Sequence, residues 1–290
     1  MKTSSADTSP DAERVQLELM RHASATRRVR LACSLSATTI ALSRRALRRT
    51  HPEMSDQDAL LAWVAQQYDP ELARRLRVAV ASRNGPALSG GAMESSDVLA
   101  ILAPVVDIFE RLGIPYRIGR SLASSVYAVA RATADVDIVA EIRPEQAVPL
   151  AQQLQSAYYV DGQMILDAIR HWSSFNLVHL GTMLKVDVFV PQPRPYETAA
   201  AQRARDETLS EAPNARLYRV ASPEDVILAK LEWYRLGGEI SDQQWRDIQG
   251  VMKVQTSALD LAYLRQWAVA LDVADLLERA LQQAGLARTP

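Results

Sequence analysis

The sequence predicts an α+β fold: a mixed sheet with flanking helices, preceded by a small all-α unit and followed by a C-terminal helical bundle. Three observations carry this prediction. Before residue 83 the apolar residues fall at helical spacing. In the middle, β-branched runs such as "DVDIVAEI" and "KVDVFV" alternate with amphipathic stretches. From residue 221 onward the pattern is helical again, with caps and glycine stops.

Residues 11–82 make the first unit. "RRVRLACSLSATTIALSRRALRRTHPE" places Leu31, Leu35, Thr38 and Leu42 at helical spacing and breaks at Pro52. Ser55 is set to cap the next helix, with Asp58 three residues on. That helix carries Leu60, Leu61, Val64, Tyr68, Leu72 and Leu76. Two or three such helices cannot bury these residues among themselves, so the unit is expected to pack on the rest of the chain. Its arginines (Arg27, Arg28, Arg30, Arg44, Arg45, Arg48 and Arg49) read as a solvated helix face, because no aromatic residues interleave with them as in a nucleic-acid arm. Residues 83–96, "RNGPALSGGAMESS", collect Gly, Pro, Ser and Asn and read as a linker.

Residues 97–220 mix strands with helices. "VLAILAPVVDIFERLG" is helical and ends at Gly113, a residue suited to a left-handed C-cap. "PYRIG" is a short strand, "SLASSVYAVA" a helix with Ser121 as its cap, and "DVDIVAEI" a strand. "RPEQAVPLAQQLQ" and "DGQMILDAIR" are helical, and "FNLVHL" pairs with "KVDVFV" around "GTML". In residues 221–290, Ser222 caps a helix with Pro223 at its first position, Gly237 and Gly238 close it, and helices from about Leu259 to Ala284 form a bundle. Lys230 lies beside the apolar stripe of its helix, where a lysine either snorkels or reaches an acidic or phosphate partner.

Composition narrows the function classes. The chain has 290 residues, 48% apolar and 23% charged, with a formal net charge of -1, so no global field points to nucleic acid or membrane. The single cysteine, Cys33, forms no internal disulfide, no stretch is apolar enough to span a bilayer, and the first residues lack the apolar core of a secretory signal. A cytoplasmic protein without a membrane partner is expected.

Two carboxylates inside an apolar strand need a reason. Residues two apart in a strand share a face, so Asp135 and Asp137 point together while Val136 and Ile138 enter the core. Asp187 alternates in the same way with Val186 and Val188. If the two strands are neighbours, three carboxylates converge and repel one another, and a divalent cation such as Mg²⁺ relieves that. One such aspartate would read as a solvated edge residue; three at matched positions favour a metal site. The turn "GRSLAS" puts Ser121 at a helix N-terminus, where unpaired backbone N–H groups favour phosphate. Phosphate at a helix N-terminus and metal on an adjacent strand is a layout for nucleotidyl transfer.

"SLASSVYAVARATADVDIVAEI" and "MLKVDVFV", continued through "SPEDVILAKLEWYRLGGEISDQQWRDIQGVMKVQ" and "LDLAYLRQWAVALDVADLLERAL", resemble the bacterial nucleotidyltransferase superfamily of polymerase-β-like fold. The branch they resemble lies near the abortive-infection nucleotidyltransferase toxins. The resemblance runs from about Met93 onward. It implies that Asp135, Asp137 and Asp187 bind Mg²⁺ or Mn²⁺ and carry catalysis, and that Gly119, Ser121 and Lys230 contact the phosphates of an NTP. The implied reaction moves an NMP to a hydroxyl on protein, RNA or a small molecule. Arg120 stands where related sequences have glycine, and Ala128 where they often have one. Arginine there is sterically strained and can fill the pocket, or its guanidinium can bind phosphate; impairment is the favoured reading, and a catalytically silent binding protein is the alternative. The N-terminal unit is similar to short bacterial proteins encoded beside such enzymes, and Met93 would start a separate protein. The chain thus reads as a toxin-type enzyme joined to its regulator, naturally or by engineering.

Overall fold

The computed structural model describes residues 9–81, 97–133 and 135–286. The expected linker at 83–96, with Met93 in it, lies outside the described residues. The chain begins with α1 (Pro10–His22), α2 (Ala25–Thr50), α3 (Asp56–Gln67), α4 (Pro70–Ala81) and α5 (Asp97–Arg111). Next come β1 (Tyr116–Gly119), α6 (Arg120–Tyr127), β2 (Asp135–Ala140), α7 (Ala147–Leu154), β3 (Tyr158–Tyr159), α8 (Gly162–His171), β4 (Ser174–His179) and β5 (Lys185–Phe189). After them follow α9 (Pro195–Arg203), β6 (Arg205–Thr208), β7 (Leu217–Val220), α10 (Pro223–Leu236), α11 (Asp242–Gln255), α12 (Leu261–Ala270) and α13 (Ala274–Ala284). Among the described residues no helix is long and apolar enough to cross a membrane.

Local chemistry sets the helix ends. Ser55 and Ser222 cap α3 and α10, their hydroxyls accepting from the amides of Asp58 and Asp225. Gly113 takes a left-handed φ of 61° just beyond α5. The helix expected to run unbroken from Ser55 past Leu76 is two helices. Pro70 cannot continue the first, and the Asp69 carboxylate restarts the second by accepting from the amides of Glu71 and Leu72. In α2 the buried stripe is Val29, Ala32, Cys33, Ser36, Ala37 and Ile40, while Leu35 and Leu42 are exposed. Small side chains form this inner face, which the expected leucine stripe missed.

The chain divides into two compact units, each drawn from separate stretches. The central unit comprises Cys33–Tyr116 and Ala132–Pro191. Its strands lie in the order β3-β4-β5-β2, with β2 parallel to β5 and β4 antiparallel to both of its neighbours. Val136, Ile138, Val186, Val188, Phe175 and Leu177 are buried, as are Leu60, Leu61, Trp63 and Val64 of α3 and Leu76 of α4. The N-terminal helices are tied in by polar contacts as well. Arg44 donates to the Thr182 carbonyl and stacks on Trp63, Arg75 reaches the Met164 sulfur, and the Thr133 amide donates to Ser36 Oγ at 2.8 Å.

The terminal unit comprises the chain up to Ala32, Arg117–Arg131 and everything from Gln192 onward. Its strands run β1-β7-β6, with β1 parallel to β7 and β6 antiparallel to it. Around them pack α6 and α9–α13, with Val226, Ile227, Leu231, Ile248, Met252, Leu264 and Leu277 buried. Helix α1 belongs here: its Glu13 bonds Lys253 at 2.8 Å, with both side chains buried. Arg28 is a buried connector and no solvated residue. It donates to the Val126, Met20 and Ala23 carbonyls, and burial pushes its guanidinium below the ordinary arginine range.

Residues 11–82 are therefore no compact unit of their own. The helix α2 passes from the terminal unit to the central one at Ala32–Cys33, and its neighbours divide with it. Strands β3, β6 and β7 and helix α9 had no clear sequence signal, because the strands are short and "RDET" is polar throughout.

Candidate functional site

In the central unit the parallel register of β2 and β5 sets Asp137 opposite Asp187, and Asp135 opposite Lys185. The pleat then buries Val136, Ile138, Val186 and Val188 on the other face. Asp137 and Asp187 are only 5% and 8% exposed, so these are not the solvated aspartates of a sheet edge. Asp135 and Asp187 have neighbours that satisfy them. The Thr133 hydroxyl donates to Asp135 Oδ1 at 2.8 Å, and Ser36 of α2 fixes the Thr133 amide in turn. Asn176, across the β4–β5 pair, donates to Asp187 Oδ1, and the Lys185 ammonium bonds Oδ2 at 2.6 Å.

Tyr68, the residue closing α3, completes this face from the N-terminal helices. Lys185 Nζ lies 5.3 Å from its ring centroid. Burial pushes the Tyr68 hydroxyl above its ordinary range, and the Asp135 and Asp187 carboxylates add to the shift, so the phenol stands in their field.

A hard divalent cation takes carboxylate oxygens, and three of them share this face, so the donors fit Mg²⁺ or Mn²⁺ in kind. Among the described residues, no three His, Cys, Asp or Glu side chains stand as a metal-holding group. The cation seated at Asp187 is Lys185.

The phosphate-binding candidates lie in the terminal unit. Gly119 is the N-cap of α6 and offers no side-chain bond, and Arg120 and Ser121 fill the first two helical positions. Ser121 is thus one step inside the helix and is not its cap. The helix also stops at Tyr127, short of Ala130, where Ala128 turns to extended backbone. The Ser124 and Ser125 hydroxyls donate back to the Arg120 and Ser121 carbonyls, at 2.7 and 3.3 Å.

Arg120 takes the backbone that a glycine would take, with φ of 45°. Left-handed backbone costs a non-glycine residue about 1–2 kcal/mol. Its guanidinium stacks 4.0 Å above Trp233, a cation–π contact of about 0.5–1 kcal/mol at a half-exposed site. The two effects nearly cancel. Arg120→Gly, which removes strain and stack together, is expected to change stability by less than about 1 kcal/mol. Arg120→Ala keeps the strain without the stack and is expected to be less stable than Arg120→Gly by about 1 kcal/mol in urea unfolding.

Lys230 is 6% exposed, and its ammonium bonds Asp247 Oδ2 at 2.8 Å. Arg131 clasps the same carboxylate with two bonds, at 2.6 and 2.7 Å. Burial alone would raise the Asp247 carboxyl, but Lys230 and Arg131 outweigh it and hold the group below the ordinary carboxylate range. The polar partner of this lysine in the structure is an aspartate. A phosphate contact would have to draw it out of a buried pair.

Lys185 was legible in the sequence, because two residues before Asp187 is the same face of the strand. Asn176 follows from the hairpin register. Ser36, Tyr68 and Asp247 reach their partners only through the fold.

No protein family matches the sequence, and no curated protein does. Solved structures match weakly. One is an antigenic nucleotidyltransferase-like protein from Paracoccidioides brasiliensis, 20% identical over 61% of this chain and 94% of that one, with a TM-score of 0.38. Another is ANT(2")-Ia in complex with adenylyl-2"-tobramycin, 11% identical over 60% and 96%, also at 0.38. A solution structure of the antibiotic-resistance factor ANT(2'')-Ia is 14% identical over 62% and 97%, again at 0.38. At these identities and scores no residue role carries over to this chain.

Proposed function

We propose that this chain is a divalent-metal-dependent nucleotidyltransferase that moves an NMP from an NTP to a hydroxyl acceptor on protein, RNA or a small molecule. The alignment of Asp137 with Asp187 on neighbouring parallel strands, with Asp135 on the same face, supports the reading most. Asp135, Asp137 and Asp187 would hold Mg²⁺ or Mn²⁺. When bound, the ion would neutralise phosphate oxygens as charge builds on the leaving group. Asp187 accepts the proton of the acceptor hydroxyl. That oxygen bonds to the α-phosphorus, the bond from phosphorus to the bridging oxygen breaks, and its electron pair leaves with pyrophosphate. Gly119 and Ser121, at the start of α6 in the terminal unit, are the candidates for phosphate oxygens, through backbone N–H groups and the serine hydroxyl. Lys230 is assigned to Asp247 and supports the unit from within.

The test is incubation of the full chain with radiolabelled NTPs, Mg²⁺ or Mn²⁺ and cell extract. Label transfer is expected, falling at least about a hundredfold in Asp137→Asn and in the presence of a chelator. No transfer to any acceptor overturns the reading. The finer reading is a toxin-type enzyme. Growth arrest on expression, lost in Asp137→Asn, is its expected result.

A second reading, a catalytically silent binding protein, draws on one observation: Arg120 stands beside Ser121 with the left-handed φ of 45° that a glycine would take. Calorimetry separates the two. Micromolar Mg–NTP binding that Asp137→Ala abolishes removes the silent reading.

A further inference from the structure

We propose that the Lys185 ammonium is the resident counter-cation of the carboxylate face, competing with a divalent cation for Asp187, and that Tyr68 of the N-terminal helices holds it in place. This rests on the metal-dependent reading above. The strand register puts Lys185 beside Asp135, and its own strand puts it on the face of Asp187, to which it bonds at 2.6 Å. Both side chains are largely shielded from water, at 16% and 11% exposure. Like charges on such a face repel strongly, and one ammonium against three carboxylates reduces the repulsion yet leaves the face anionic. The site is therefore still attractive to a divalent ion, but that ion must share Asp187 with a positive charge.

The lysine is built to yield. Its ammonium sits on a flexible four-carbon stem, which can swing without disturbing the strand. What restrains it, besides Asp187, is the electron-rich face of Tyr68, 5.3 Å away. The hold thus comes partly from α3, far from β5 in sequence. Metal occupancy becomes coupled to the placement of the N-terminal helices.

If Lys185 merely oriented Asp187 as a ligand, removing it would weaken metal binding. As a competitor, its removal tightens binding. Mn²⁺ is titrated into the full-length protein and the free ion is followed by electron paramagnetic resonance. Lys185→Met is expected to lower the Mn²⁺ Kd by at least about tenfold. Lys185→Gln, which keeps a hydrogen bond to Asp187 without the charge, should move in the same direction and stands in if the methionine variant fails to fold. Lys185→Arg should stay within about twofold of the wild type. Tyr68→Leu should tighten binding by about threefold through the lost cation–π contact. Adding Asp137→Asn to Lys185→Met should remove the binding. Equal or weaker binding in Lys185→Met and Lys185→Gln, with Mn²⁺ bound by the wild type, overturns the counter-cation and leaves the metal-dependent reading standing. Binding by neither the wild type nor any Lys185 variant overturns both.

Discussion

Asp247→Ala is expected to destabilise the protein by about 3–5 kcal/mol, the usual consequence of breaking a buried ion pair from one side. The substitution leaves the Lys230 ammonium, 6% exposed, without its carboxylate, and frees the two-bond grip of Arg131. Lys230 cannot easily reach water from the interior of α10, so its charge remains uncompensated. Replacing both partners, as Asp247→Leu with Lys230→Met, should recover most of the loss, since an apolar pair of similar volume removes the desolvation problem. The acid limb has a definite sign. The Asp247 carboxyl is held below its ordinary range, so the stability it gives is present above the unfolded-state pKa and is lost as pH falls through the folded-state value. Urea unfolding at neutral and acidic pH measures both. A loss under about 1 kcal/mol would mean that the pair is solvated, returning Lys230 to the candidates for phosphate contact.

The carboxylate face was readable from the chain because it rests on local rules. Alternation alone put Asp135 with Asp137 and set Val136 and Ile138 to the core, and a second alternating run marked Asp187. The adjacency of the two strands was a condition that only the register could meet. The caps at Ser55 and Ser222 and the stop at Gly113 were legible for the same reason: each is decided within four residues. The misplaced features involve long-range partners. Leucines mark an apolar stripe, yet in α2 the buried face is alanine, cysteine and serine, because close approach there favours small side chains. Arg28 and Arg44 look like surface cations in one dimension and are internal donors in three. Arg120 looks like an intrusion until Trp233, more than a hundred positions later, supplies the surface on which it stacks.

Residues 93–290 expressed alone are expected to give no stably folded protein, which bears on the idea of a detachable N-terminal regulator. Among the residues lost, Leu60, Leu61, Trp63, Val64 and Leu76 are each at most 3% exposed. At about 1.5–3 kcal/mol for each buried large apolar side chain, their removal alone rivals the 5–15 kcal/mol that holds a typical protein together. Loss of Glu13 also leaves Lys253 buried and unpaired. Loss of Ser36 removes the bond that fixes Thr133 ahead of Asp135, and loss of Tyr68 uncovers Lys185. The first consequence of truncation is therefore insolubility or a non-cooperative melt, before any change in rate can be seen. Supplying residues 1–92 from a second gene should restore a soluble complex in which the two pieces co-purify, because the buried contacts do not require the covalent link. A soluble 93–290 fragment melting cooperatively within a few degrees of the full chain would show that these helices are an accessory. Slowed growth with that fragment, relieved by residues 1–92, would then return them to the role of regulator. With the fragment unfolded, the helices instead belong to the fold: they complete both compact units and set the residues that carry the carboxylates.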